Sequence, residues 1–271
     1  MRGLIAALAA CGTLLTAGVP APAEAKDAVR VLEAVLGRGR GVHFTETATV
    51  LDGAGERAGR RRTGVFETGE KGGVKALDVT VTGGEHGRER TIGFNHDVVG
   101  GTAYRSGGLA ATLLPKGKTW WKNSHQMHLF HTELLGYDQQ LVNPAEPATL
   151  AALVKNGRVS GNTVTGSIAF EELEEVSTWV EHSSPGWEDG TRLSYVLTLT
   201  PAGLVSRVQS TFQADRSPVA REVLGEVAGR TVRVDTRYSR WGGEVSINVP
   251  DPGTTTTELC AERICKLRLP G

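Results

Sequence analysis

Cysteine is nearly missing from this chain, with three in 271 residues, at positions 11, 260 and 265. So sparse a set cannot staple a fold, and an apolar core must hold it together. An excess of either charge is missing too. Thirty basic and thirty acidic residues give a formal net charge of zero, so no global field draws the chain to nucleic acid or to an acidic surface. No segment beyond the first 25 residues approaches the length and apolarity of a membrane-spanning helix. Glycine and proline, 35 and 11 residues, make up about 17% of the chain, below the level of a low-complexity sequence. Hydrolase and nucleotide-binding signatures are absent: there is no Gly-x-Ser-x-Gly, no His-Glu-x-x-His and no phosphate loop ending in Gly-Lys-Ser/Thr. A triad scattered along the sequence escapes that exclusion. The residues point to no cofactor.

What is present begins with a leader. Met1 and Arg2 precede a small-residue apolar stretch from Leu4 to Val19 and then Ala23-Glu24-Ala25, the layout of a secretory signal peptide cleaved after Ala25. The expectation is export, with residues 1–25 removed and 26–271 forming a single domain. Leu8-Ala9-Ala10-Cys11 offers another reading, a bacterial lipobox with lipidation at Cys11, although Leu4 to Ala10 is short for the apolar segment this needs. If Cys11 leaves with the leader, Cys260 and Cys265 are the remaining thiols. In an exported chain such neighbours are expected to form a disulfide that pins the tail, with a free pair or half a metal site as the other readings.

Alternation governs the mature chain. In residues 231–249, Val232, Val234 and Tyr238 share one face and Arg233, Asp235 and Arg237 the other, which reads as two strands of a sheet with one dry side. Further strands are expected at Val42–Leu51, Thr63–Glu67, Val74–Val81, Arg90–Phe94, Thr102–Arg105, Thr119–Trp121, Thr163–Ile168, Leu193–Thr200 and Leu204–Phe212, about eleven in all. Helical spacing marks Asp27–Leu36, Ser124–Leu141, Pro147–Lys155 with a stop at Asn156-Gly157, and Glu171–His182. The fold class expected is mainly β with helices; an antiparallel sheet curved into a half-open barrel, with these short helices over its concave face, would leave a cavity, and a flat sandwich of two sheets is the alternative. Three or four short helices against eleven strands imply incomplete cover, and hence an apolar hollow.

Three clusters invite a chemical reading. His125, His128 and His131 with Glu133 lie three apart; on a helix they fan out, so at most two could share a metal, and a solvated or partly buried face is the reading adopted. No metal is expected. Arg57 and Arg60 to Arg62 form a basic run between the first two strands, read as a solvated hairpin loop, with contact to anionic lipid head groups as the alternative. Trp120 and Trp121, adjacent in a strand, must point to opposite faces.

Four stretches in order carry a family likeness: Asp97-Val98-Val99-Gly100-Gly101-Thr102-Ala103-Tyr104 with Trp120-Trp121; Asn143-Pro144-Ala145-Glu146-Pro147-Ala148-Thr149-Leu150; the paired strands around Pro201-Ala202-Gly203; and Tyr238-Ser239-Arg240-Trp241-Gly242-Gly243 running to Val249-Pro250. Over nearly all of the mature chain the sequence resembles the LolA-like half-barrel envelope proteins, specifically the actinobacterial lipoproteins of the LprG and LppX type. The resemblance implies a cavity that carries lipids or glycolipids between membrane and outer envelope, without catalysis, in an exported or envelope-associated monomer that touches a membrane or an envelope transporter transiently. It also implies a lipid anchor near the N-terminus. The ligand-binding residues expected on this reading are Phe94, Tyr104, Trp121 and Tyr195. An envelope sensor or protein-interaction module on the same fold is the alternative, and a hydrolase with an unrecognised site a third.

Overall fold

A computed structural model describes residues 27–52, 55–69, 73–84, 87–95, 101–123, 139–183, 190–214, 216, 221 and 227–259. The strands are β1 (Arg40–Asp52), β2 (Gly55–Thr68), β3 (Val74–Gly84), β4 (Gly87–Asn95), β5 (Gly101–Gly107), β6 (Trp120–Asn123), β7 (Arg158–Ser160), β8 (Thr163–Ala169), β9 (Arg192–Leu199), β10 (Val205–Gln213), β11 (Thr231–Glu244) and β12 (Thr255–Thr256). The helices are α1 (Ala28–Val35), α2 (Gly108–Leu113), α3 (Pro147–Asn156), α4 (Phe170–Val176) and α5 (Thr178–Ser183). All twelve strands belong to one sheet, ordered β12-β6-β5-β4-β3-β2-β1-β11-β10-β9-β8-β7, and its two end strands do not pair, so it is open.

Two meanders build this sheet. β1 to β6 pair in succession, as do β7 to β11, and β1 joins the halves by pairing with β11; all these pairs are antiparallel. Successive antiparallel neighbours need only short connections, although β8 and β9 are joined through α4 and α5, and β5 and β6 through α2. Register fixes one inner face. Val164 and Ile168, Leu193, Tyr195 and Leu197, Val208 and Phe212, Val232 and Val234, Phe44 and Ala48, Phe66, and Leu77 and Val79 all point to it and all are buried. α3 lies against β8 and α1, and α4 against β8 and α3. The described helical cover is therefore concentrated on the second meander.

Several expectations need correction. Residues 231–249 hold one strand, not two: β11 ends at Glu244, residues 245–249 form no second strand, and a bulge lies near Gly242-Gly243. There Gly41 pairs with Gly243 but His43 with Ser239, and Arg240 and Gly242 take left-handed φ values of 56° and 70°. The chain then leaves the sheet and crosses the outer face. Val245 N–H donates to the Gly39 carbonyl at 3.0 Å and Ile247 N–H to Glu67 Oε2 at 2.8 Å, before β12 pairs in parallel with β6 at the far edge. The basic run is no loop but part of β2. The segment Glu171–His182 divides into α4 and α5 at Ser177, and residues 139–141 are not helical. The leader, Cys11, Cys260, Cys265, His125, His128, His131 and Glu133 lie outside the described residues.

Candidate binding site on the inner face

Close packing fills the half of the inner face beneath α3 and α4. Phe170 meets Phe212 edge to face at 6.0 Å, and Leu150, Leu153, Leu173, Leu193 and Leu197 are each within 1% of complete burial. Tyr195 lies across Gly166, where an added Cβ would come within 2.4 Å of the phenolic oxygen. Its hydroxyl donates to the Leu153 carbonyl at 2.7 Å, and burial pushes its pKa up to about 12.

Toward β1 and β2 the same face changes character. Phe44 sits over Gly64, whose absent Cβ leaves room for the ring, and stacks on Phe66 at 4.8 Å; Phe66 in turn meets Trp179 edge to face at 5.4 Å. Between these rings and Tyr238 lie two charges. Glu46 and Arg62, directly opposed on β1 and β2, pair at 2.6 Å with side chains only 5% and 2% exposed. Thr236 Oγ1 donates to the other Glu46 oxygen at 3.2 Å. Burial pushes the Glu46 carboxyl above its ordinary range, against the pull of Arg62 and its hydrogen bonds. Burial and the nearby Glu46 charge raise the Tyr238 phenol as well.

A stretch of irregular chain, residues 139–146, roofs this hollow. Gln140 fastens it: its side chain donates to Thr236 Oγ1 at 3.2 Å and accepts from Ser210 Oγ at 2.7 Å, while its carbonyl accepts from Trp179 Nε1 at 2.9 Å. Asn143 Oδ1 accepts from Ala145 N–H at 3.0 Å, shaping the turn into α3. Glu146 then ties three elements together, accepting from Thr149 Oγ1, Ser177 Oγ, Thr178 Oγ1 and Trp179 N–H at 2.6 to 2.9 Å. The Asn143–Leu150 stretch thus has a mechanical role: its acidic residue anchors the start of α5 and the wall residue Trp179.

The hollow is lined by Phe44, Phe66, Trp179 and Tyr238, by the Glu46–Arg62 pair, and by Gln139, Gln140 and Asn143 among others. Its unfilled space, mouth included, is about 340 Å³, but water-sized centres fit in only about 20 Å³ of it. That is room for one water, not for an acyl chain. The wide apolar hollow expected from the strand-to-helix proportion is therefore not open among the described residues, because 139–146 and Trp179 occupy it. Gln139 Oε1 and Asn143 Nδ2, on side chains each 2% exposed, have no hydrogen-bond partner among the described residues.

None of the four expected ligand residues lines this hollow. Phe94 and Tyr104 pack edge to face at 6.1 Å on the outer face, in register with Ala76 and Ile92. Trp121 points inward on β6, beneath Arg105 at 5.7 Å. Tyr195 also points inward, but seven strands separate β6 from β9. For Phe94 and Tyr104 the reason is parity, since register, which composition does not reveal, decides which face an aromatic takes; for Trp121 and Tyr195 it is their distance along the sheet from β1 and β2. A larger space, about 650 Å³ with its mouth included against 340 Å³ for the inner hollow, opens on the outer face between the 244–248 segment and His43, Val65, Asp78, Arg90 and Ile92. Its Asp78 and Arg90 satisfy each other in a two-point ion pair at 2.6 and 2.9 Å, which leaves the inner hollow as the candidate. Glu46 and Arg62 were legible in principle, since each interrupts an inward-facing apolar series, Val42-x-Phe44-x-Glu46-x-Ala48 and Arg62-x-Gly64-x-Phe66. Gln139 and Asn143 carry no such signal.

No protein-family model matches the chain, and no curated protein matches it. Among solved structures the chain is similar to lipoprotein LppX from Mycobacterium tuberculosis. The identity is 11% and the TM-score 0.37, over 83% of this chain and 98% of that one. A DUF1329 family protein from Desulfovibrio piger follows at 8% identity and a TM-score of 0.36, over 83% and 93% of the two chains. A LolA superfamily protein from Nitrosomonas europaea matches at 8% and 0.30, over 80% and 92%. At these scores the likeness carries no functional argument.

Proposed function

We propose that this protein is a non-catalytic, exported binding protein of the cell envelope that takes up a hydrophobic ligand, a lipid, at the inner-face hollow. The observation that supports the reading is the roof. Three aromatic rings and a tyrosine face a stretch of chain whose described side-chain hydrogen bonds to the sheet run through one glutamine, Gln140, while Trp179 of α5 holds that residue's carbonyl. An acyl chain enters between that roof and the apolar wall, and each buried methylene contributes about 0.8 kcal/mol, so a handful of methylenes offsets any of these bonds that loosen. Native mass spectrometry of protein purified from its own host is expected to show co-bound lipid, and the purified protein to take up a fluorescent fatty acid. Consistently empty protein that takes up no probe overturns the reading. The one-water size of the hollow favours a second reading, a filled inner face in an envelope sensor or protein-interaction module. A crosslinked protein partner recovered together with empty protein would support that one.

A further inference from the structure

We infer that the hollow seats a compact, uncharged head group that both donates and accepts a hydrogen bond, a single hydroxyl or a primary amide at the end of an alkyl chain. The inference rests on the ligand-binding reading above and narrows its ligand class. Three observations point to it. First, a buried acceptor, Gln139 Oε1, and a buried donor, Asn143 Nδ2, both belong to residues that line the hollow, and neither has a partner among the described residues. Native interiors rarely leave such atoms unmatched, and one group that donates and accepts can satisfy both. Second, the space in the closed hollow is small, about 20 Å³, which favours a head group of one or a few atoms over a sugar or a phosphate. Third, the charges in the wall cancel: Arg62 Nη1 lies 2.6 Å from Glu46 Oε1 with both side chains buried. A carboxylate or phosphate head would enter a low-dielectric site whose one guanidinium already has its counter-ion.

The test compares three ligands with nearly the same hydrocarbon chain. Oleamide donates and accepts, methyl oleate only accepts, and oleate at pH 8 carries a charge. Binding is followed by the change in tryptophan fluorescence that a Trp179→Phe variant loses, and by native mass spectrometry of the full chain. Oleamide is expected to bind about tenfold or more tightly than either of the others, since each leaves a buried polar group unmatched or brings an unpaired charge. Gln139→Leu is expected to bring oleamide down to the level of methyl oleate, with an unchanged melting temperature certifying the fold; Gln139→Met serves if the leucine variant does not fold. Equal affinity for all three ligands, or tighter binding of oleate, overturns the inference and leaves the binding function standing. Failure to bind any of them overturns both.

Discussion

The second meander and the junction of β1 with β2 bury the same inner face in different ways. Under α3 and α4 the face is leucine and phenylalanine against leucine, with one phenol whose hydroxyl finds a helix carbonyl. Beside it, beneath 139–146, the face holds an ion pair, two threonine and serine hydroxyls and three side-chain amides. The first arrangement maximises the area removed from water. The second gives up some of that gain, because desolvating Glu46 and Arg62 costs more than a hydrophobic pair of similar volume would. A region that sacrifices stability this way is where the proposed ligand contact is placed, beside a close-packed neighbour that would give it rigid support.

The sharpest way to break the contrast is a large-to-small change on the packed side. Phe170→Ala is expected to lower unfolding stability by about 3–5 kcal/mol, read by urea denaturation; a loss under about 1 kcal/mol would show that this side is not close-packed. On the polar side, Arg62→Leu strands Glu46 and is expected to cost about as much, 3–5 kcal/mol. Adding Glu46→Leu should then recover most of that loss, since both buried charges are gone. A double variant as unstable as the single one would contradict the assignment of the pair as an expensive device.

Acidity offers a finer probe. Because burial raises the Glu46 carboxyl above its ordinary 4.5, the folded protein holds that proton at pH values where the unfolded chain has released it. The stability this adds is complete below about 4.5 and is lost as pH climbs through the raised value, with a slope of at most about 1.4 kcal/mol per pH unit. Glu46→Gln should flatten the stability curve above pH 4.5. Parallel curves for the two proteins would remove Glu46 from the account. The smallest expected effect is Tyr195→Phe, about 1 kcal/mol for the lost bond to Leu153, with no change in ligand uptake because Tyr195 belongs to the packed side. A clear loss of lipid uptake in that variant would erase the boundary between the two regions.

Much of the architecture was open to inspection in one dimension. Alternation at Val232, Val234 and Tyr238, helical spacing at Ala28 and Leu32, and the Pro147 start and Asn156-Gly157 stop of α3 are local patterns, and local patterns survive folding. The two strands expected in residues 231–249 became one because the left-handed Gly242 serves a bulge as readily as a turn between strands. The basic run misled in a similar way: Arg61 is exposed on β2, but its neighbour Arg62 turns inward to meet Glu46.

The chain's own order of residues determined that the protein is a mainly β sheet with one dry side and few helices to cover it, since side-chain period and apolar content depend on nearest neighbours alone. Which aromatics reach the hollow, and which face Phe94 and Tyr104 take, was decided by strand register across the sheet. The pairing of Glu46 with Arg62 and the closing of the hollow by 139–146 were decided there too, because they require residues 16 to about 100 positions apart to meet. Only the folded chain brings such partners within hydrogen-bond reach.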